Sequence, residues 1–199
     1  MDFPAIISFY TEGTPYEEEV QNLIASCKKY NLEAHIKAVP SQGSWELNCA
    51  YKPFFILEKL TKLRKPLLWV DADGVFMQKP TYQEVFALDL ATRIEDVPDT
   101  HPSKVITSTL FVRPGAEDLL RQWIQNCNTM LLDPNRQVEF WDQEALRDVL
   151  LQNTTRAGAL PISYAKIFDH PGDAAHPSVI EHHQASRRFK KNINIAKNS

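Results

Sequence analysis

Apolar residues in the first third of the chain alternate between short continuous runs and stretches with helical spacing. The run at 66–70 is apolar throughout, as expected of a central strand that is covered on both faces. The order strand, helix, strand, helix, strand predicts a parallel sheet of the α/β class. The predicted elements are strands at 5–10, 35–39 and 66–70, helices at 16–30 and 54–63, and a loop at 40–48.

The same patterns continue through the second half of the chain and predict strands at 88–94 and 105–112 and helices at 116–130 and 142–151. The residues after these elements are rich in Pro, Gly and His, which is typical of loops. The chain shows no internal repeat, low-complexity tract or linker. It therefore predicts a single α/β domain over 1–199, with a mostly parallel central sheet flanked by helices.

Composition and charge narrow the classes of function. The 199 residues carry 22 Lys and Arg against 25 Asp and Glu, a net charge of -3, which argues against a nucleic-acid partner. Three cysteines are an odd number for a disulfide framework and predict reduced, buried thiols. With neither a targeting segment nor an apolar run long enough for a membrane span, we expect a cytoplasmic protein.

The C-terminal segment at 187–199 forms a basic tail. Its five basic residues are accompanied by no acidic residue, which is typical of contact with phosphate or with an anionic membrane surface, and equally of a solvated terminus. Both interpretations remain open, and peripheral membrane contact through this tail is one of them. The basic residues are Arg187, Arg188, Lys190, Lys191 and Lys197.

The most specific motif is a pair of carboxylates, Asp71 and Asp73, directly after the apolar strand and before Gly74. Ligands of α/β proteins collect at the carboxyl ends of strands, so the location suits a binding site. A turn here can aim both carboxylates at one Mg²⁺ or Mn²⁺ ion, which prefers oxygen ligands and shares them with phosphates. The alternative is a solvated turn that merely closes the strand.

Two chemistries use such a motif. In one, the carboxylates hold a metal that bridges a nucleotide diphosphate and stabilises it as the leaving group of a sugar donor. In the other, Asp71 is the nucleophile and Asp73 the acid/base of a haloacid-dehalogenase-type phosphatase. That phosphatase usually opens with the motif strand and needs a downstream Lys and an acidic pair, for which Lys166, Asp169 and Asp173 are poor substitutes.

The arrangement resembles the GT-A-fold nucleotide-diphospho-sugar transferases, in particular the retaining enzymes of glycosyltransferase family 8. The acidic motif is one signal, and the opening strand and turn is another. By resemblance, Tyr10, Thr11 and Tyr16 seat the nucleotide. Lys52 stands ahead of the motif where the family commonly has Arg, and the resemblance gives it a donor-phosphate role.

Two further signals lie downstream. Asp142 and Gln143 resemble the family's Asp-Gln motif, which implies contacts to the donor sugar near its reacting face; the residues alone also predict that Asp142 is a helix N-cap. The family places a metal-ligand His after an apolar strand, a small residue three positions later and a cation six positions later. Counting from His182 gives Ala185 and Arg188. His183 is the alternative, although counting from it loses the cation.

The sequence thus predicts a metal-dependent glycosyltransferase with a Rossmann-like GT-A domain. It would move a sugar from a nucleotide-diphospho-sugar, a UDP-sugar being favoured, to a glycan, lipid or protein acceptor, with retention expected from the resemblance. The metal, Mn²⁺ or Mg²⁺, would be held by Asp71, Asp73 and His182, and the catalytic residues would be Asp142 and Gln143. A nucleotide- or glycan-binding protein without turnover is the second hypothesis, and the phosphatase is the third. The donor site would comprise Tyr10, Thr11, Tyr16, Lys52, Asp71, Ala72, Asp73 and Arg188.

Overall fold

A computed structural model describes residues 4–81, 87–137 and 139–189. Its strands form one six-stranded sheet, in the order β2-β1-β3-β6-β5-β7, and one small sheet, in the order β4-β9-β8. The strands are β1 (Ala5–Thr11), β2 (Ala34–Val39), β3 (Leu67–Val70), β4 (Gly74–Phe76), β5 (Leu90–Ile94), β6 (Val105–Val112), β7 (Ala157–Ala159), β8 (Lys166–Ile167) and β9 (Ile180–His182).

The large sheet is mostly parallel, because β6 alone among its six strands runs against its neighbours. Both faces are covered by the apolar stripes of helices and by the small sheet, so β3 is buried along its whole length. The predicted α/β class, with a mostly parallel central sheet flanked by helices, is confirmed. The helices are α1 (Tyr16–Lys29), α2 (Trp45–Leu63), α3 (Glu117–Leu132) and α4 (Asp142–Gln152).

The core has two halves, one on each face of the large sheet. Helices α2, α3 and α4 pack on one face, around Trp69 and Trp123. Helix α1 covers the other face together with residues of β4 and β9, around Leu68 and Phe111. Cys27 and Cys127 are buried and free, one in each half, and burial raises the pKa of the Cys27 thiol to about 12. No helix in the described ranges is long and apolar enough to cross a membrane.

Two sequence-based predictions of local structure are wrong. Helix α2 begins at Trp45, inside the predicted loop, because the hydroxyl of Ser44 accepts a hydrogen bond from the backbone N–H of Leu47 at 3.1 Å and caps the helix. The segment predicted as loop after α4 contains three strands, β7 to β9, each of two or three residues. Strands of that length show no hydrophobic alternation.

The small sheet joins the acidic motif to the C-terminal part of the chain. Strand β4 follows Asp73 directly and pairs antiparallel with β9, with Gly74 opposite His182. A side chain at position 74 would bring a Cβ within 2.4 Å of Val70 Cγ1 and 3.0 Å of His182 Cε1. Glycine is therefore required at position 74 for the imidazole of His182 to lie beside the motif.

Candidate active site

A pocket of about 800 Å³ opens where the carboxyl ends of β1 and β3 meet the amino-terminal parts of α2 and α4. Nine residues predicted from sequence line it together. They are Tyr10, Thr11, Tyr16, Lys52, Asp71, Ala72, Asp73, Asp142 and Gln143. The remaining lining residues include aromatic, acidic and imidazole side chains from Trp45, Trp141, Glu95, Asp96, His101 and His170.

Lys52 lies at the centre of a buried charge network. Its Nζ is 3.1 Å from Asp71 Oδ1 and 3.1 Å from Asp142 Oδ2, and it also contacts the carbonyl and hydroxyl oxygens of Thr107 at 3.3 and 3.2 Å. Burial alone would lower the pKa of Lys52, but the carboxylates of Asp142 and Asp71 raise it above its usual range. The ammonium therefore stays charged and links the two carboxylates, which are 71 positions apart in sequence.

Each carboxylate of this network has a second support. The indole N–H of Trp69 donates to Asp71 Oδ1 at 2.7 Å, and the hydroxyl of Thr107 donates to Asp142 Oδ2 at 3.0 Å. The indole N–H of Trp123 donates to the carbonyl of Asp142 at 2.9 Å. The N-cap position of α4 is Trp141, and no side-chain hydrogen bond caps the helix. The interpretation of Asp142 as an N-cap is wrong, because its carboxylate is bonded to Lys52 and Thr107.

Asp73 faces the small sheet. Its Oδ2 accepts the backbone N–H of Ala185 at 2.7 Å, and its Oδ1 is 3.4 Å from Nδ1 of His182. Burial alone would raise the pKa of Asp73, but the hydrogen bonds from His182 and Ala185 lower it, which favours the carboxylate. His182 is fully buried, and its Nε2 is 2.8 Å from the hydroxyl oxygen of Thr109.

The alternative ligand, His183, has a different environment. Its side chain is 40% exposed and its ring stacks on Phe168, with ring centroids 5.5 Å apart. Within residues 4–81, 87–137 and 139–189, no group of three or more His, Cys, Asp or Glu side chains is arranged to hold a metal ion. The protein thus presents Asp73 and His182 as neighbours, while Asp71 is turned to Lys52 and Trp69.

The sequence predicted Arg188 as the C-terminal arginine of the donor site, but in the structure Arg187 is the one that lines the pocket. Arg187 lines it, with Nη1 2.7 Å from Asp169 Oδ2. Arg188 is directed at α1, with Nη2 2.9 Å from Glu19 Oε1. The remaining basic residues of the predicted tail, at 190–199, lie outside the described residues.

A hydrogen bond to the backbone fixes one polar side chain of the pocket lining, Gln143. The amide of Gln143 donates to the carbonyl of Pro102 at 2.9 Å, which ties α4 to the loop after β5. Trp45 and Trp141 meet edge to face, with ring centroids 5.1 Å apart. Burial and the nearby charge of Asp73 raise the pKa of Tyr16 beyond its usual range, so its phenol is neutral. The pocket lining therefore combines a neutral phenol and aromatic surface with charged side chains.

The residues that a phosphatase would need are engaged elsewhere. Lys166 donates to the backbone carbonyl of His176 at 3.1 Å, and Asp169 pairs with Arg187. Asp173 is bonded through both oxygens to Arg93, at 2.5 and 2.8 Å. In the described part of the chain, none of Lys166, Asp169 and Asp173 lines the pocket.

Sequence reasoning missed several residues of the site. Three side chains of the site are held by hydrogen-bond partners that the sequence did not suggest: Asp71 by Trp69, Asp142 by Thr107 and His182 by Thr109. These partners lie in predicted strands, where the sequence does not distinguish them from core residues. Ser108 lines the pocket, and its buried hydroxyl has no hydrogen-bond partner among the described residues. The run of three hydroxyl residues at 107–109 inside an apolar strand was the available signal, because buried hydroxyls need partners.

Comparisons with known proteins bear on the fold. A scan of protein-family models and a search of curated sequences find no match to this chain. Solved structures do match. A glycosyltransferase involved in the glycosylation of the major capsid of PBCV-1 aligns over 95% of this chain and 98% of its own, with a TM-score of 0.70 and 13% identity.

A second similar structure is the apo form of the glycosyltransferase GlyE from Streptococcus pneumoniae TIGR4. It aligns over 91% of this chain and 54% of its own length, with a TM-score of 0.60 and 14% identity. At these identities the likeness establishes the architecture. The chain has the fold of these two glycosyltransferases.

Proposed function

We propose that the protein is a metal-dependent glycosyltransferase that moves a sugar from a nucleotide-diphospho-sugar, with a UDP-sugar favoured, to a glycan, lipid or protein acceptor. The observation that carries this proposal is the meeting of Asp71, Asp73 and Asp142 at one pocket, with Lys52 between two of them. The fold shared with two glycosyltransferases supports it. Retention of anomeric configuration is expected from the resemblance to family 8.

The donor set at Asp73 suits a divalent cation. Two ligands at right angles on an octahedral ion are about 3 Å apart when each is about 2.1 Å from the metal. The 3.4 Å between Asp73 Oδ1 and His182 Nδ1 is close to that separation. Mg²⁺-type sites use one or two carboxylates and complete their shell with water and substrate phosphates, so a full protein cage is not required.

A bound Mn²⁺ or Mg²⁺ would neutralise charge on the diphosphate as it departs. The chain's own residues bind and orient the donor. Tyr10, Thr11 and Tyr16 line the pocket, and we assign them to the nucleotide; Ala72, between the two motif carboxylates in sequence, also lines it. Arg187 is the cation best placed for the diphosphate, with Arg188 as the alternative.

The sugar would lie against Asp142, Gln143 and Ser108. The carboxylate of Asp142 would accept hydrogen bonds from sugar hydroxyls, and Gln143 and Ser108 belong to the same pocket lining. Lys52 has its donors directed at Asp71, Asp142 and Thr107, and its side chain is only 8% exposed. We therefore assign Lys52 to holding the two carboxylates in place, and not to direct phosphate contact.

A thermal-shift titration tests the proposal. The wild type and Asp73→Ala are each titrated with UDP, GDP, CDP and p-nitrophenyl phosphate, with and without Mn²⁺. We expect one nucleoside diphosphate to stabilise the wild type only with Mn²⁺, and Asp73→Ala to lose that stabilisation. Asp133→Ala, which removes an exposed carboxylate outside the pocket lining, is the matched control and should respond like the wild type. The absence of any nucleotide response would contradict the proposal. Stabilisation by p-nitrophenyl phosphate instead of a nucleotide would favour the phosphatase.

A further inference from the structure

Strand β6 bulges at the residues that face the site. Thr92 of β5 pairs with Leu110, and the next residue, Arg93, pairs with Ile106, so that 107–109 have no partner on β5. The hydroxyl of Thr92 lies 2.6 Å from the carbonyl oxygen of Ile106 and 2.9 Å from that of Thr109, and holds both ends of the bulge. Bulges re-aim side chains and are common beside active sites.

Within this bulge, Thr109 is directed at His182. The two side chains are fully buried, and the Thr109 hydroxyl oxygen lies 2.8 Å from His182 Nε2. The other ring nitrogen, Nδ1, faces Asp73 Oδ1 at 3.4 Å, and Gly74 leaves room for the ring between them. Asp73 is itself fixed by the N–H of Ala185. The imidazole is thus held between one hydroxyl and one carboxylate.

A hydroxyl is the neutral group that can satisfy Nε2 in either tautomer, because it both donates and accepts. With the proton on Nδ1, the ring donates to Asp73 and the Thr109 hydroxyl donates to Nε2. With the proton on Nε2, the ring donates to the Thr109 oxygen, and the Nδ1 lone pair beside Asp73 is free for a cation. Moving between these states requires a proton to change ring nitrogen and the hydroxyl hydrogen to rotate, with no displacement of heavy atoms.

We propose that Thr109 is a positioning residue that supports both tautomers of His182: the Nδ1–H form without metal and the Nε2–H form when a divalent cation binds at Asp73. The inference rests on the proposed function, since it requires that cation. In a metal-binding histidine, the group that hydrogen-bonds the ring nitrogen not bound to the metal fixes the tautomer and the orientation of the imidazole. Loss of that group typically weakens metal binding about 10- to 100-fold.

The first test measures Mn²⁺ affinity by electron paramagnetic resonance, at a fixed concentration of UDP, for wild type, Thr109→Val and Thr109→Ser. Valine keeps the shape of threonine but can neither donate nor accept, whereas serine keeps the hydroxyl. We expect Thr109→Val to bind Mn²⁺ about 10- to 100-fold more weakly than wild type, and Thr109→Ser to bind close to wild type. Thermal unfolding of each variant without metal establishes that it is folded.

The second test needs no variant. Nitrogen-15 chemical shifts of the His182 imidazole in the wild type should report the Nδ1–H tautomer without metal and the Nε2–H tautomer with Mg²⁺ and UDP. An Nε2–H ring in both states, or equal Mn²⁺ affinity for wild type and Thr109→Val, would overturn the inference and leave the proposed function standing. A wild type that binds no Mn²⁺ with UDP would contradict both.

Discussion

The ammonium nitrogen of Lys52 lies 3.1 Å from a carboxylate oxygen of Asp142, deep between helices α2 and α4. The same nitrogen is equally close to Asp71, so one cation joins the acidic motif after β3 to the first residue of α4. The contact has two consequences. It stabilises the packing of the two helices near the pocket, and it fixes two carboxylates that would otherwise repel each other.

Replacing Lys52 tests the first consequence. Lys52→Met keeps much of the apolar stem but leaves two carboxylates without their counter-charge, and breaking a buried pair in this way typically costs about 3–5 kcal/mol. We expect the free energy of unfolding, measured by urea denaturation at pH 7, to fall by about 3 kcal/mol. Lys52→Arg keeps the charge and should lose less. A Lys52→Met variant as stable as wild type would contradict the account of this network.

A second buried pair holds the wall of the pocket. Arg93 and Asp173 are 1% and 2% exposed, and Asp173 also accepts the backbone N–H of Ile167, a lining residue. We expect Arg93→Met to destabilise the fold by about 3–5 kcal/mol, because it removes the guanidinium that is bonded to both carboxylate oxygens of the buried Asp173. The matched control is Lys62→Met, which removes an exposed pair with Glu58 and should cost about 0.3–0.5 kcal/mol. Similar losses of stability in Arg93→Met and Lys62→Met would contradict the account of Arg93 and Asp173 as a buried, stabilising pair.

The pH dependence of stability should carry a contribution from Asp89. Burial alone would raise its pKa, but hydrogen bonds from Arg156 and Arg113, at 2.7 Å each, lower it below its usual range. Its stabilisation is therefore present above the unfolded pKa of about 3.9 and is lost as the pH falls through the lower folded value. The stability difference between wild type and Asp89→Asn should be larger at pH 7 than at pH 3. A difference that does not change between these two pH values would contradict this pairing.

The two neighbouring arginines make a matched pair for nucleotide binding. Arg187 lines the pocket and makes an exposed contact to Asp169, whereas Arg188 pairs with Glu19 on α1. We expect Arg187→Ala to weaken UDP binding about tenfold, the low end for a hydrogen bond to a charged group. Arg188→Ala should change it little. Calorimetry with Mn²⁺ present measures both, and the reverse order would assign the diphosphate contact to Arg188.

Much of the fold follows from hydrophobic pattern. Strand β3 is four consecutive buried residues, and α3 carries a clear apolar stripe, so both were predicted within a few residues. By contrast, β4 and β9 owe their existence to pairing with each other, and three residues are too few for a periodic pattern. Their pairing places His182 beside Asp73, a contact between residues 109 positions apart.

Part of the candidate site could be predicted, namely the residues whose type alone suggests chemistry. Paired carboxylates after a buried strand led to Asp71 and Asp73, and both line the pocket. Lys52 was also found, but its bridging position depends on how α2 packs against α4, which sequence does not specify. The bulge at 107–109 was missed for a related reason, because it arises from the register between two strands.

The most direct test of the central claim is release of UDP from a panel of UDP-sugars, measured with and without Mn²⁺ for wild type and Asp142→Asn. We predict that the wild type releases UDP from at least one donor only with Mn²⁺. The rate should fall about 100-fold in Asp142→Asn, the order expected when a group that stabilises the transition state is lost, while UDP still binds. Binding of UDP without release from any UDP-sugar would contradict the claim and identify a nucleotide-binding protein without turnover.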